Sequence, residues 1–192
     1  MNYLAHFHLA WPDEQLVLGG LEGDFYRGLL RGDLPTGLEA GIALHRAIDA
    51  YTDSHAAVAE LRRQFPGSLR RFAGILIDLS FDHSLSRHWQ RYSALPLAEF
   101  NQQVMHILGS NRALLSADAA AMAQRIEQYD ILSLYQHWET VPRSAARIGE
   151  RFARENPFLD IDGILLELQP AIDRTFLTFY PDLVEFSRQQ RL

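Results

Sequence analysis

Apolar residues recur every three or four positions through most of this 192-residue chain, and strict apolar–polar alternation over strand-length windows is nearly absent. Side chains three or four apart share a face only in an α-helix, whereas a half-buried strand alternates with period two. The pattern therefore predicts an all-α protein. At this length a chain can bury a sizeable core, so residues 1–192 are expected to form a single compact multi-helix domain.

The breaks in the pattern set the expected helices. A first short helix is expected from Asn2 to Ala10. Pro12 and Asp13 open a second that runs through Leu21 toward Arg27. Gly19, Gly20 and Gly23 either weaken that helix or let another backbone approach it. After the loop from Gly32 to Gly37, a third helix is expected from Leu38 to His55. A fourth follows the Pro66-Gly67-Ser68 break, from Leu69 to Trp89. Phe72, Ile75, Leu76, Ile77, Leu79 and Phe81 make this fourth helix apolar on several sides, so it should run through the core. Beyond Pro96, amphipathic segments cover Leu97–Leu115, Ala117–Ile131, Leu132–Arg154 and Ile161–Phe186.

Composition narrows the function. With no cysteine, there is no disulfide and no thiolate metal site, so any metal must use His, Asp or Glu. The formal charge of −6 argues against general nucleic-acid binding, which needs a concentrated basic surface. No segment has the roughly 18 to 20 uninterrupted apolar residues of a membrane span. The start of the chain lacks a basic region ahead of a long apolar run, so the cytoplasm is the expected compartment. Gly19-Gly20-Leu21-Glu22-Gly23 lacks the Lys-Ser/Thr of a P-loop and the strand context of a dinucleotide fold. No serine sits in a nucleophile-elbow sequence.

The first half holds six of the eight histidines, and with them the residues that can carry chemistry. On the third helix His45, Asp49 and Asp53 fall at successive i,i+4 positions and form one row beside the Leu44, Ile48 and Tyr51 stripe. His45 and Asp49 are expected to point into a cleft. On the fourth helix Asp78 and Asp82 share a face, and His83 is the next step around the cylinder. Two carboxylates one turn apart on an apolar helix repel each other and cost desolvation energy unless a positive charge lies between them. A divalent cation resolves that conflict, and imidazole nitrogens with carboxylate oxygens suit manganese, iron, cobalt, nickel or zinc. Asp24 and His6 complete the early candidates; His6 and His8 are not at helical spacing, so one of them, His6, is expected to face the site. The plainer alternative is that these aspartates cap helices or pair with arginines.

Taken together, Met1-Asn2-Tyr3-Leu4-Ala5-His6, Gly23-Asp24-Phe25, Leu44-His45-Arg46-Ala47-Ile48-Asp49 with Thr52-Asp53, and Asp82-His83 followed by Trp89 resemble the acyl carrier protein phosphodiesterase family. These blocks span roughly residues 1 to 90, and the chain length also fits. The resemblance implies an HD-phosphohydrolase-like helical domain in which histidines and aspartates hold a divalent metal, with Mn²⁺ favoured and Mg²⁺, Fe²⁺, Co²⁺ or Zn²⁺ as alternatives. The usual His-Asp pair is reversed here as Asp82-His83. It implies hydrolysis of the phosphodiester joining 4′-phosphopantetheine to a serine of holo-acyl carrier protein. Asp24, His45, Asp49, Asp78, Asp82 and His83 are then the expected ligands or their supports. His6 and Asp24 join the catalytic group, and Arg46 steadies a phosphoryl oxygen.

Carrier proteins are acidic, so docking calls for a locally positive surface despite this chain's net negative charge. Arg62, Arg63, Arg70 and Arg71 are the expected patch; an ordinary solvated charge cluster is the alternative. Two rival readings remain open: an HD-type phosphohydrolase acting on a nucleotide or other small phosphate ester, and a non-catalytic helical binding protein.

Overall fold

A computed structural model of the chain describes residues 1–152 and 155–191. Among these are ten α-helices and no strand: α1 (Tyr3–Ala10), α2 (Glu14–Glu22), α3 (Thr36–Ser54), α4 (Ala56–Gln64), α5 (Ala73–Arg87), α6 (Leu97–Ser110), α7 (Ala117–Gln128), α8 (Ile131–Leu134), α9 (Thr140–Gly149) and α10 (Asp162–Gln190). None of them is long and apolar enough to cross a membrane.

Several boundaries depart from the periodicity. The helix expected to reach Arg27 stops at Glu22, leaving Asp24 in the turn that follows. The expected helix from Leu69 to Trp89 has irregular ends. A 3₁₀ turn covers Arg70–Phe72, α5 proper spans Ala73–Arg87, and another 3₁₀ turn covers Trp89–Arg91. Helix α4 lies in a stretch where no helix was expected; the His55 ring caps it by accepting the Ala57 N–H at 3.3 Å. The segment expected to be one helix from Leu132 to Arg154 is broken into α8 and α9, and Arg154 itself lies outside the described residues. Asp130 takes a left-handed φ of 46° just before α8, and the Thr140 hydroxyl donates to the Leu134 carbonyl at 2.7 Å, closing the turn between the two.

Helix α1 lies at the centre. It packs against α2, α3, α5 and α10 and buries Leu4, Ala5, Phe7, Leu9 and Ala10. Eight residues are too few to hold a helix in isolation, so its position depends on tertiary partners. The Asp82 carboxylate, fully buried on α5, supplies one at its start by accepting the Leu4 N–H at 2.7 Å and the Ala5 N–H at 3.2 Å. At the other end Arg191 donates to the carbonyls of Leu9 (3.1 Å) and Trp11 (2.9 Å), and the Ser187 hydroxyl donates to Leu9. Helix α10 continues through Pro170 and Pro181 and lays Ile172, Phe176, Phe179, Tyr180 and Leu183 against the core.

The close contact between α2 and α3 depends on glycine. A Cβ on Gly19 would lie 2.4 Å from the Gly41 Cα, inside backbone that cannot yield. Gly20, one residue on, would meet nothing nearer than 3.7 Å. Gly19→Ala is therefore expected to force the helices apart and cost about 1–3 kcal/mol, a fall of roughly 2–4 °C in Tm per kcal/mol for a chain of this size. Gly20→Ala should be neutral or stabilising, because alanine is the better helix former. Thermal unfolding of both variants checks this, and equal damage from the two would contradict the contact geometry. Asp82→Ala should also destabilise, by about 1–3 kcal/mol, since it leaves two helix-start amides buried without an acceptor. Asp82→Asn, which keeps an acceptor oxygen, should lose less. Urea midpoints of the three proteins measure it, and an Ala variant as stable as the parent would mean these amides do not need the carboxylate.

Candidate metal centre

The row expected on α3 meets α1 at the core's edge. His6 from α1 and His45 from α3 stack face to face, ring centroids 3.9 Å apart and planes 15° from parallel. The space for the His45 ring comes from Gly23, where a Cβ would lie 2.4 Å from the His45 Cγ. His45 shares Nδ1 with the Gly20 carbonyl at 2.8 Å, which places the proton there and leaves Nε2 facing the site. Asp49, one turn along α3, reaches both rings: Oδ2 is 3.2 Å from His45 Nε2, and Oδ1 is 3.2 Å from His6 Nε2.

Asp24, in the turn after α2, brings Oδ1 within 3.7 Å of His45 Nε2. The α-ammonium of Met1 lies between Asp49 Oδ1 at 3.2 Å and Asp78 Oδ1 at 3.1 Å. The layers differ in access. The imidazoles form a buried floor, with His6 and His45 side chains only 2% and 5% exposed, whereas Asp24, Asp49 and Asp78 are 44%, 42% and 36% exposed at the mouth.

Electrostatics sort these groups by partner. Burial drives the His6 pKa down to about 3, with the neighbouring His45 adding to the effect, so His6 is neutral. Burial acts against the protonated form of His45 too, but Asp49 and Asp24 overcome it and raise its pKa. Burial alone would raise Asp49; the His45 and His6 imidazoles, each 3.2 Å away, and the Met1 ammonium outweigh it and hold the carboxyl well below the usual range. Asp24 and Asp78 are raised, chiefly by burial. The ammonium, which burial would lower, is lifted to about 11 by Asp78 and Asp49.

His6, His45 and Asp49 each offer one ligand atom within 4.8 Å of the others, a set that can hold a divalent metal. The donor chemistry fits such an ion in a second way. Both ring nitrogens of His6 are buried without a hydrogen-bond partner, and Nε2, although close to Asp49, is not aligned for one. A buried imidazole with both nitrogens unsatisfied needs a partner that the chain does not supply, and an ion is one group that can serve.

The other residues singled out in the sequence have different neighbours. Both Asp82 oxygens are taken by the first amides of α1, and burial pushes its pKa up to about 7. His83 turns away to share Nδ1 with the Tyr135 carbonyl at 2.8 Å and to lie edge-on to Trp138. Arg46 donates to the Gly28 and Tyr26 carbonyls, both at 2.9 Å, and so fastens the loop after Asp24. His8 faces the opposite side of α1 and meets the Tyr180 hydroxyl at 2.8 Å. Asp53 pairs with Arg62, and Arg63 with Glu60. Arg70 reaches the Arg63 carbonyl at 3.5 Å, and Arg71 lies over the Phe72 ring. Sequence reading missed the Met1 ammonium, which no side-chain letter announces, and the Gly20 carbonyl, which orients His45.

Comparison with known proteins identifies the family. Residues 1–183 match the model of the family described as acyl carrier protein phosphodiesterase. Curated relatives carrying that description include proteins from Klebsiella pneumoniae strain 342 (33% identical), Escherichia coli O45:K1 strain S88 (34%) and Yersinia pestis (31%). Each alignment covers 100% of this chain and 100% of the relative. No solved structure matches the chain. On a family match across nearly the whole length and full-length relatives above 30% identity, the chain belongs to the acyl carrier protein phosphodiesterase family.

Proposed function

We propose that this chain is a metal-dependent phosphodiesterase that hydrolyses the link between 4′-phosphopantetheine and a serine of holo-acyl carrier protein, with Mn²⁺ as the metal. Water adds to phosphorus, the bond from phosphorus to the serine oxygen breaks, and the products are apo-acyl carrier protein and free 4′-phosphopantetheine. The observation that carries the metal dependence is the unpartnered His6 ring stacked on His45 beside the ionised Asp49. His6, His45 and Asp49 would hold the ion. When bound, it supplies positive charge to the phosphoryl oxygens and acidity to water.

The chain's own groups do the rest. The Gly20 carbonyl keeps the His45 proton on Nδ1, so Nε2 stays directed at the site. Asp24 is half-exposed at the mouth with its pKa raised by burial, which suits it to exchange a proton with water or with the departing serine oxygen. Asp78 faces the same cluster through the Met1 ammonium and adds negative charge that favours a cation. Arg46 acts at one remove, by holding the Tyr26–Gly28 backbone beside Asp24. Asp82 and His83 support the site by fixing α1 and the Tyr135 segment.

Mass spectrometry of holo-acyl carrier protein incubated with the enzyme and Mn²⁺, beside a chelated control, tests this reading. Loss of the phosphopantetheine mass is expected only with metal. Turnover in the chelated control would remove the metal from the mechanism, and an unchanged carrier protein with metal bound would remove the substrate. His45→Ala and Asp49→Ala should each reduce kcat/KM by more than about 100-fold, because even the groups that only orient metal ligands contribute about 10- to 100-fold.

A further inference from the structure

Between α2 and α3 the chain runs Tyr26-Arg27-Gly28-Leu29-Leu30-Arg31-Gly32 beside Asp24, and α3 holds this loop at both ends. The Arg46 guanidinium donates to the Tyr26 and Gly28 carbonyls. At the far end the Glu39 carboxylate accepts the N–H groups of Gly32 (2.9 Å), Asp33 (3.1 Å) and Leu34 (3.3 Å). Gly28 and Gly32 take φ of +101° and +79°, a left-handed conformation that glycine alone adopts without penalty. The loop so clamped presents Leu29 to solvent at 73% exposure, the largest value among the exposed large hydrophobic residues described.

Arg27 and Arg31 flank that leucine. Both are exposed, and neither forms an ion pair among the described residues, whereas Arg62, Arg63, Arg112 and Arg188 are matched to Asp53, Glu60, Glu127 and Glu185. On a chain of charge −6, residues 25–32 carry two arginines and no carboxylate. An apolar tip between two free arginines, held rigid and set against a catalytic mouth, has the form of a preorganised docking element for an acidic protein.

We propose that residues 26–32 are the docking loop for the carrier protein, with Leu29 inserted into an apolar depression on its surface and Arg27 and Arg31 paired to carboxylates around it. Docking there brings the phosphopantetheine-bearing serine to the Asp24 side of the mouth. This inference rests on holo-acyl carrier protein being the substrate, and binding measured without metal separates it from the metal chemistry.

The test is binding of holo-acyl carrier protein to the full-length enzyme in chelator, at low and at high salt. Arg27→Glu with Arg31→Glu, and separately Leu29→Ser, should each raise Kd at least about ten-fold, and the arginine effect should shrink at high salt. Both variants leave Arg46 and Glu39 in place. Their turnover of bis(4-nitrophenyl) phosphate with Mn²⁺ should equal that of the parent, which shows that the site is intact. Arg70→Glu with Arg71→Glu should change Kd less than two-fold. Parent-like binding by both loop variants would overturn the proposal, as would absence of binding by the parent or a loss confined to the Arg70 and Arg71 variant. A parent that binds carrier protein but fails to turn it over would instead count against the catalytic reading and leave the docking loop standing.

Discussion

Two hydrogen bonds from the first amides of a short helix to one buried carboxylate hold the geometry of this protein together. Helix α1 has eight residues and is covered on nearly every side, so its amides cannot turn to water and must be satisfied inside. Asp82 satisfies two of them from the middle of α5. Tyr3 and His6 ride on that helix and Met1 sits at its head, so the same bonds fix where the His6 ring and the N-terminal ammonium meet α3. Burial pushes the Asp82 pKa up to about 7, a sign of how far the carboxylate has been taken from solvent. The amides and the nearby ammonium work in the other direction and keep the ionised form within reach.

The second constraint is the close approach of α3, which brings the other half of the cluster. Gly19 and Gly41 let two helix backbones touch, and Gly23 leaves room for the His45 ring to lie flat on His6. Stacking two imidazoles in a buried floor is tolerable only if they do not both carry a proton, because like charges at 3.9 Å repel strongly at low dielectric. The surroundings enforce the asymmetry: His6 is left neutral, and His45 takes whatever stabilisation the carboxylates of Asp49 and Asp24 give. His6, His45 and Asp49 offer donor atoms within 4.8 Å of one another, a set that can hold a divalent cation.

Much of this was legible because helical periodicity is a strong signal. The i,i+4 spacing of His45 and Asp49 put both on one side of α3, and there they stand together. The same logic put Asp78 and Asp82 on one face of α5. It could not say that α1 would cross that face, with its ammonium meeting Asp78 and its amides meeting Asp82. A shared face specifies a direction from the helix axis; what waits in that direction depends on contacts nearly eighty residues away in the chain. His83, a further 100° around, accordingly reaches the Tyr135 carbonyl. Arg46 looked free in the sequence because carbonyl groups carry no letter, and two of them occupy its guanidinium. Boundaries were lost for local reasons: a left-handed Asp130 before α8, and a ring cap from His55, which takes the α4 cap position in place of the neighbouring Asp53 or Ser54.

The difference in access across the site constrains how a protein substrate can use it. His6 and His45 lie almost wholly beneath the surface, while the carboxylates around them are open to solvent. A folded carrier protein cannot descend to that floor; only its phosphodiester and the flexible arm beyond can. Recognition of the protein part must therefore fall on the rim, where the chain has to offer shape and charge without help from the buried imidazoles. Rim elements that wander would lose binding energy to ordering, so a loop pinned by Arg46 at one end and Glu39 at the other has an advantage over free surface arginines. Helix α3 thus has two tasks. It places His45 and Asp49 against His6, and through Glu39 and Arg46 it sets the attitude of the loop beside Asp24, so that the candidate site and the proposed docking loop are held by one element.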